Sequence, residues 1–239
     1  MNTIKIDKKN ALMIAHRGLS GIETENTNAA FIAAGNRSYY GIETDVHKTL
    51  DGKFVVIHDE FTGRVAIDNI DVEKSTFDTV RRILLADKNG LKGREDLHIP
   101  TLKEYINTCK RYEKMAILEF KNSFTDEEIG KICNEIIECD YLDKVVFISF
   151  NYDNLLKLRK IYPQHPAQFL TSKYSRELLE RLVNDKLDLD IDYRALTEEI
   201  VKEIKAAVLK LIAWTIDSKE TAEKLISWGL DFVTTNILE

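Results

Sequence analysis

Eight short apolar runs recur along this chain, and between most of them lies a stretch with apolar residues at three- and four-residue spacing. The runs are Leu12–Ala15, Gly41–Val46, Met115–Phe120, Val145–Phe150, Ala167–Leu170, Leu187–Ile191, Leu211–Thr215 and Phe232–Thr235. Their brevity predicts strands, and the spacing predicts amphipathic helices over Asn26–Asn36, Leu102–Tyr112, Asp126–Cys139, Tyr152–Ile161, Arg176–Asn184, Glu198–Val208 and Thr221–Trp228. A strand followed by a helix, repeated, requires parallel strands joined by right-handed crossovers. Eight such units in 239 residues match an α/β chain folded as a (β/α)8 TIM barrel in both number and length. An open doubly wound sheet would alternate in the same way. It usually carries a Gly-rich phosphate-binding turn after its first strand, however, and here that turn reads Ala15-His-Arg-Gly-Leu-Ser20. The barrel is the favoured reading. No Pro-, Gly- or Ser-rich linker breaks the pattern, so residues 1–239 are expected to form a single domain.

Net charge narrows the partners. With 34 Lys+Arg against 40 Asp+Glu, the chain lacks the basic surplus of a general nucleic-acid binder, while one local cation cluster could still hold a small anion. Cys109, Cys133 and Cys139 show no Cys-x-x-Cys spacing and read as inert thiols of a reducing compartment. Residues 1–10 have no apolar core to serve as a signal peptide, and no apolar run reaches the length of a membrane span. A cytoplasmic enzyme with no stable membrane association is expected.

One segment breaks the alternation. Glu43-Thr-Asp-Val-His-Lys-Thr-Leu-Asp51-Gly52-Lys-Phe-Val-Val-Ile-His58-Asp59 holds two strand-like runs around Asp51-Gly52, a strong signal for a two-residue hairpin loop. Such a loop pairs Leu50 with Lys53, Thr49 with Phe54 and, at the far end, Asp45 with His58. Opposed residues share a face, so Glu43, Asp45 and His58 are expected together at the strand's carboxyl end, where barrel active sites lie. After the hairpin, 63–95, with a helix expected at 75–84, reads as a short cover over the site.

Glu119, in Ile117-Leu-Glu-Phe-Lys121, places an acid in another apolar run, where an unpaired carboxylate is costly. Three carboxylates without a Cys or a His-x-x-x-His suit an oxygen-coordinated Mg²⁺ or Ca²⁺ over Zn²⁺. A salt-bridge network of Glu43, Asp45 and Glu119 with Arg17 and Lys121 explains the same residues equally well. His16 and Arg17 close the first strand, and one strand's parity cannot turn both inward, so at least one acts from the loop. Arg17 is suited to grip an oxyanion. His98 and His165 sit in turn contexts and read as structural, and His47 lies farther out on the hairpin arm.

The string Ala15-His-Arg-Gly18, Glu25-Asn-Thr27, Glu43-Thr-Asp-Val46, Asp51-Gly52 and Val56-Ile-His-Asp59 resembles the glycerophosphodiester phosphodiesterases. Ile99-Pro-Thr-Leu102, Leu118-Glu-Phe-Lys121, Ile148-Ser-Phe150, Ala213-Trp-Thr215 and Thr235-Asn236 continue the resemblance in the family's order. Thr24, Leu50 and Ile237 depart from its usual residues. The resemblance implies cleavage of glycerophosphodiesters, such as glycerophosphocholine or glycerophosphoethanolamine, to glycerol 3-phosphate and an alcohol. It implies a catalytic pair at His16 and His58, the first assigned as base and the second as acid. It also implies a divalent Mg²⁺ or Ca²⁺ on Glu43, Asp45 and Glu119, and phosphate-binding cations at Arg17 and Lys121. Trp214 matches an aromatic near the substrate's glycerol end, with a core tryptophan as the alternative. A lysophospholipase-D-like activity on single-chain lipids and a catalytically silent phosphodiester-binding barrel are the other readings carried forward.

Overall fold

Alternation along the strands sorts the apolar side chains into two populations. Ile14, Ile117, Val146, Ile148, Leu170 and Ile212 face one another and form one core, while their sequence neighbours, among them Met13, Leu118, Phe147, Leu211 and Ala213, join a second, larger one. That division is what a closed sheet wrapped in helices requires. The computed structural model describes residues 2–91 and 94–239; Met1, and Lys92 and Gly93 of the expected cover, lie outside the described residues.

The strands are β1 (Leu12–Ala15), β2 (Gly41–Lys48), β3 (Phe54–Val56), β4 (Met115–Phe120), β5 (Val145–Ser149), β6 (Ala167–Thr171), β7 (Asp188–Asp192), β8 (Leu211–Trp214) and β9 (Phe232–Thr235). Their order is β1-β9-β8-β7-β6-β5-β4-β2-β3, and a β1–β2 pairing closes the ring. Every pairing in the ring is parallel; β3 alone is antiparallel, hanging from β2 outside it. The helices are α1 (Asn28–Gly35), α2 (Phe77–Arg81), α3 (Leu102–Arg111), α4 (Asp126–Glu138), α5 (Tyr152–Ile161), α6 (Arg176–Asp185), α7 (Glu198–Ala206) and α8 (Lys219–Trp228). All but α2 are the crossovers between barrel strands, so the expected TIM barrel is the fold of the chain. Local chemistry sets the helix starts. Thr101 and Thr125 open α3 and α4 with full capping boxes through Glu104 and Glu128. Thr197 and Ser218 cap α7 and α8. α1 begins two residues later than its apolar spacing predicts, because Asn26 is left-handed at φ 51° and Thr27 is the cap.

The hairpin register differs from the sequence expectation by one residue. Val46 faces Val56, His47 faces Val55 and Lys48 faces Phe54. Gly52 N–H donates to Thr49 O at 2.9 Å and Thr49 N–H donates to Lys53 O at 2.8 Å, which makes the loop three residues, Leu50 to Gly52, with Gly52 at φ 76°. A two-residue loop of the Asn-Gly type needs positive φ at Asp51 as well; the three-residue loop needs it only at the glycine. The cover differs too. Its helix is α2 alone, because Leu85 N–H donates to Leu97 O and Leu84 bridges His98, pairings that draw 83–85 out of any helix. Val55, Ile57, Val72, Val80, Leu85, Leu97 and Ile99 form a small separate core beneath the hairpin.

β1 ends in a tight turn that sets the site. Gly18 has φ 76°, and a Cβ there would lie 2.7 Å from Ala30 C and Cβ. Gly18→Ala is expected to destabilise the fold by roughly 2–4 kcal/mol, from left-handed strain and the clash together. Urea unfolding measures this; an unchanged midpoint would contradict the close approach.

Candidate active site

The inward parity that runs apolar through the middle of the barrel turns acidic at the carboxyl ends of β2 and β4. Asp45 on β2 is the register partner of Glu119 on β4, and Glu43 lies on the same face two residues earlier. All three are buried, and one carboxylate oxygen of each lies within 4.8 Å of the others. Burial and mutual repulsion act on them together. Burial first, then Asp45, pushes Glu43 well above the usual carboxylate range and Glu119 up to about 8. Burial opposes ionisation of Asp45 as well, yet Lys121 and Arg17 hold it below its ordinary value. Asp45 Oδ1 is buried with no hydrogen-bond partner. An all-oxygen donor set, crowded and short of positive charge, fits a hard divalent cation.

The cations come from both neighbouring strands. Lys121 Nζ lies 2.9 Å from Glu119 Oε1 and 3.4 Å from Asp45 Oδ1. His16 keeps the inward parity of Ile14, whereas Arg17, at φ 52°, reaches the site from the loop, so both turn toward it. Arg17 N–H donates to Glu43 Oε2 at 2.8 Å, and its guanidinium stands 2.8 Å from Glu25 and 3.7 Å from Asp45. His16 Nδ1 meets Asn236 Oδ1 at 2.8 Å, and its Nε2 lies 4.0 Å from Glu43. Burial, with Arg17 adding to it, lowers His16 to about 4.

His58 reaches this cluster by a route other than the ladder. In the observed register it lies past the end of β3, and the chain bends there, so it lines the same cavity as His16, Glu43 and Glu119. Its Nδ1 meets Asp59 Oδ1 at 2.5 Å, and Asp59 is itself held by Arg64 Nε at 2.5 Å. Burial lowers His58, with Asp45 and Asp59 opposing that shift. His47 is buried behind it, between the His58 carbonyl and Glu73. His165 packs on Phe147 and its Nε2 donates to the Val145 carbonyl at 3.0 Å, a structural contact, and all three cysteines are free.

Several residues at the site carry no prediction of their own in the sequence reading. Asn26 Nδ2 donates to Asp45 Oδ2 at 2.7 Å, and Thr44 donates to Asn26 Oδ1. Glu25 joins Arg17 to both terminal nitrogens of Arg64, from the cover. Glu25, Asn26, Asn236 and Asp59 lie inside strings already singled out, which is the signal that could have found them; Arg64 has none. The cavity inside the mouth holds about 170 Å³ and is lined by His16, Arg17, His58, Trp214 and Asp190 among others. Trp214 packs edge-on against Phe150, with ring centres 5.5 Å apart. A larger cavity of about 710 Å³ opens outside it, between His58, Phe61, Lys121 and the cover residues Arg64 and Ile67.

Residues 16–239 match the Glycerophosphoryl diester phosphodiesterase family. A glycerophosphodiester phosphodiesterase of Caldanaerobacter subterraneus is 32% identical over 233 residues, covering 94% of this chain and 93% of its own. The structure of an Oleispira antarctica phosphodiesterase in complex with the product sn-glycerol-3-phosphate superposes with a TM-score of 0.81 at 27% identity, covering 97% of this chain and 95% of that one. A Thermotoga maritima glycerophosphodiester phosphodiesterase does so at 0.73 and 25% identity, over 95% and 94% of the two chains. The chain belongs to the glycerophosphoryl diester phosphodiesterase family. Among the described residues, no helix is long and apolar enough to cross a membrane.

The Arg64 clamp has a pH signature. Burial opposes ionisation of Glu25 and Asp59, but Arg64, helped by Arg17 at Glu25 and by His58 at Asp59, holds both at about 2. Stabilisation from such depressed carboxylates is complete above their unfolded range near 4 and fades as pH falls toward 2. Arg64→Ala is expected to cost about 0.5–1 kcal/mol at pH 7, a small figure because the side chain is partly exposed. That cost should shrink progressively below pH 4 in urea titrations. A cost independent of pH would contradict the clamp.

Proposed function

We propose that this protein hydrolyses glycerophosphodiesters, such as glycerophosphocholine or glycerophosphoethanolamine, to glycerol 3-phosphate and the free alcohol. The observation that carries the reading is the meeting at one barrel mouth of a three-carboxylate cluster, two flanking cations and two histidines held by different partners. The product recorded in the Oleispira enzyme, sn-glycerol-3-phosphate, accords with it.

Glu43, Asp45 and Glu119 would hold one divalent cation, Mg²⁺ or Ca²⁺, which supplies positive charge against the phosphodiester anion. Arg17 and Lys121 bind and orient the phosphoryl oxygens and counter the charge that grows in the transition state. His16, neutral at physiological pH and held at Nδ1 by the Asn236 amide, has Nε2 free to take the proton of the attacking hydroxyl. His58 bears its Nδ1 on a carboxylate, Asp59, which counters part of the downward pull of burial and orients the ring to protonate the departing alkoxide. Trp214 lies in the same cavity and is assigned to the glycerol half. The outer cavity, lined mostly by polar side chains, suits a small polar alcohol; only Phe61 and Ile67 would favour a single-chain lipid there.

The decisive assay is release of glycerol 3-phosphate from glycerophosphocholine and glycerophosphoethanolamine, with and without EDTA. Chelation is expected to abolish turnover reversibly, and His16→Ala or His58→Ala to lower kcat about 10²- to 10⁴-fold. Turnover that survives both chelation and the His16 change would sink the mechanism. No turnover of any diester by metal-replete protein would favour a silent binding barrel.

A further inference from the structure

Most ionisable groups at the barrel mouth face an opposite charge, and Asp190 on β7 does not. It is 2% exposed, and among the described residues its Oδ1 has no hydrogen-bond partner. On the adjoining β8, the indole Nε1 of Trp214 is likewise buried without an acceptor. β7 and β8 pair Asp190 with Ile212 and Asp192 with Trp214, so the two side chains stand one inward step apart on neighbouring strands. Both line the 170 Å³ cavity that also holds His16 and His58. Leaving two such groups unpaired is costly to the fold, and Ile148 and Leu170 beside them show that apolar residues fit this wall. The pair is explained by a ligand that satisfies it on binding.

The wall itself says what that ligand carries. Phosphate-gripping charge lies opposite, on Arg17 and Lys121, and the cavity lining on β7 and β8 contributes no cation. The Asp190 carboxyl, buried and unpartnered at Oδ1, offers an acceptor. The indole only donates. A hydroxyl accepts from one and donates to the other. We propose that Asp190 and Trp214 Nε1 form a hydroxyl-reading subsite, and that Asp190 sets a preference for phosphoryl groups whose alcohol carries a free hydroxyl near the ester carbon. This rests on the phosphodiesterase reading and deepens it at the substrate's uncharged end.

Calorimetric titration of the Mg²⁺- or Ca²⁺-loaded protein with sn-glycerol 3-phosphate and with methyl phosphate tests it without turnover. The wild type is expected to bind the glycerol ester about tenfold or more tightly than the methyl ester. Asp190→Leu should bring the two within about twofold by weakening the glycerol ester alone. Asp190→Asn, which keeps a donor and an acceptor, should retain most of the preference. Thermal denaturation should find Asp190→Leu at least as stable as wild type; if it fails to fold, Asp190→Ala carries the same comparison. A preference that survives Asp190→Leu, equal weakening of both ligands, or an Asn variant as impaired as Leu would overturn the proposal, as would a wild type that binds neither ligand. A wild type whose preference is lost in Asp190→Leu but which cleaves no glycerophosphodiester would remove the proposed function and leave the subsite. Cleavage of glycerophosphocholine with the preference intact in Asp190→Leu would remove the subsite alone.

Discussion

Like charge at the end of two neighbouring strands is the constraint around which this molecule is built. Parallel pairing of β2 with β4 puts Asp45 level with Glu119, and alternation brings Glu43 onto the same face. Were all three ionised within 4.8 Å, each pair would repel by at least about 3 kcal/mol at an effective dielectric constant near 20. Burial adds to that cost. The surroundings are arranged to offset it: Lys121 spans two of the carboxylates, Arg17 reaches them by backbone and side chain, and Asn26 donates to Asp45. The left-handed Arg17 and the glycine after it exist to bring that loop inward, which explains why so tight a turn is tolerated beside Ala30.

The same arrangement separates the site by charge. The β1, β2 and β4 side of the mouth carries the ions, and the β7 and β8 side carries Asp190 and Trp214 with no counter-charge. A glycerophosphodiester has an anionic phosphate and an uncharged glycerol end, so on the proposed reading a mouth with one wall of each kind would take it in a single orientation. The cover contributes from outside: Arg64 ties Glu25 to Asp59 and thereby steadies the partner of His58.

The barrel was legible because its evidence is local. Strand length, helix spacing and strand parity are each contained in a few residues, and parity alone put Glu43 with Asp45 and Glu119 with Lys121. The two-residue loop that Asp51-Gly52 predicts sets the register one residue off, and His58 enters the site through the bend after Val56 instead of across the ladder from Asp45. The error came from turn chemistry, since Asp51-Gly52 serves both loop types and only the Thr49–Lys53 closure distinguishes them. Asp190 was visible as an acid alternating within Leu187–Ile191 but had no partner to give it meaning. Arg64 and Asn236 act across 39 and 220 residues of sequence; the Thr235-Asn236 string marks Asn236 but not its partner, and nothing local marks Arg64 at all.

Whether the acidic cluster is a cation site decides between a metal-dependent hydrolase and a silent barrel. Titration of metal-stripped protein with Mg²⁺ and Ca²⁺, for wild type and Asp45→Asn, measures this directly. One ion per chain, lost in the variant together with diester cleavage, is the predicted result. Cation binding that persists undiminished in Asp45→Asn, or full diester cleavage by the stripped wild type, would contradict it.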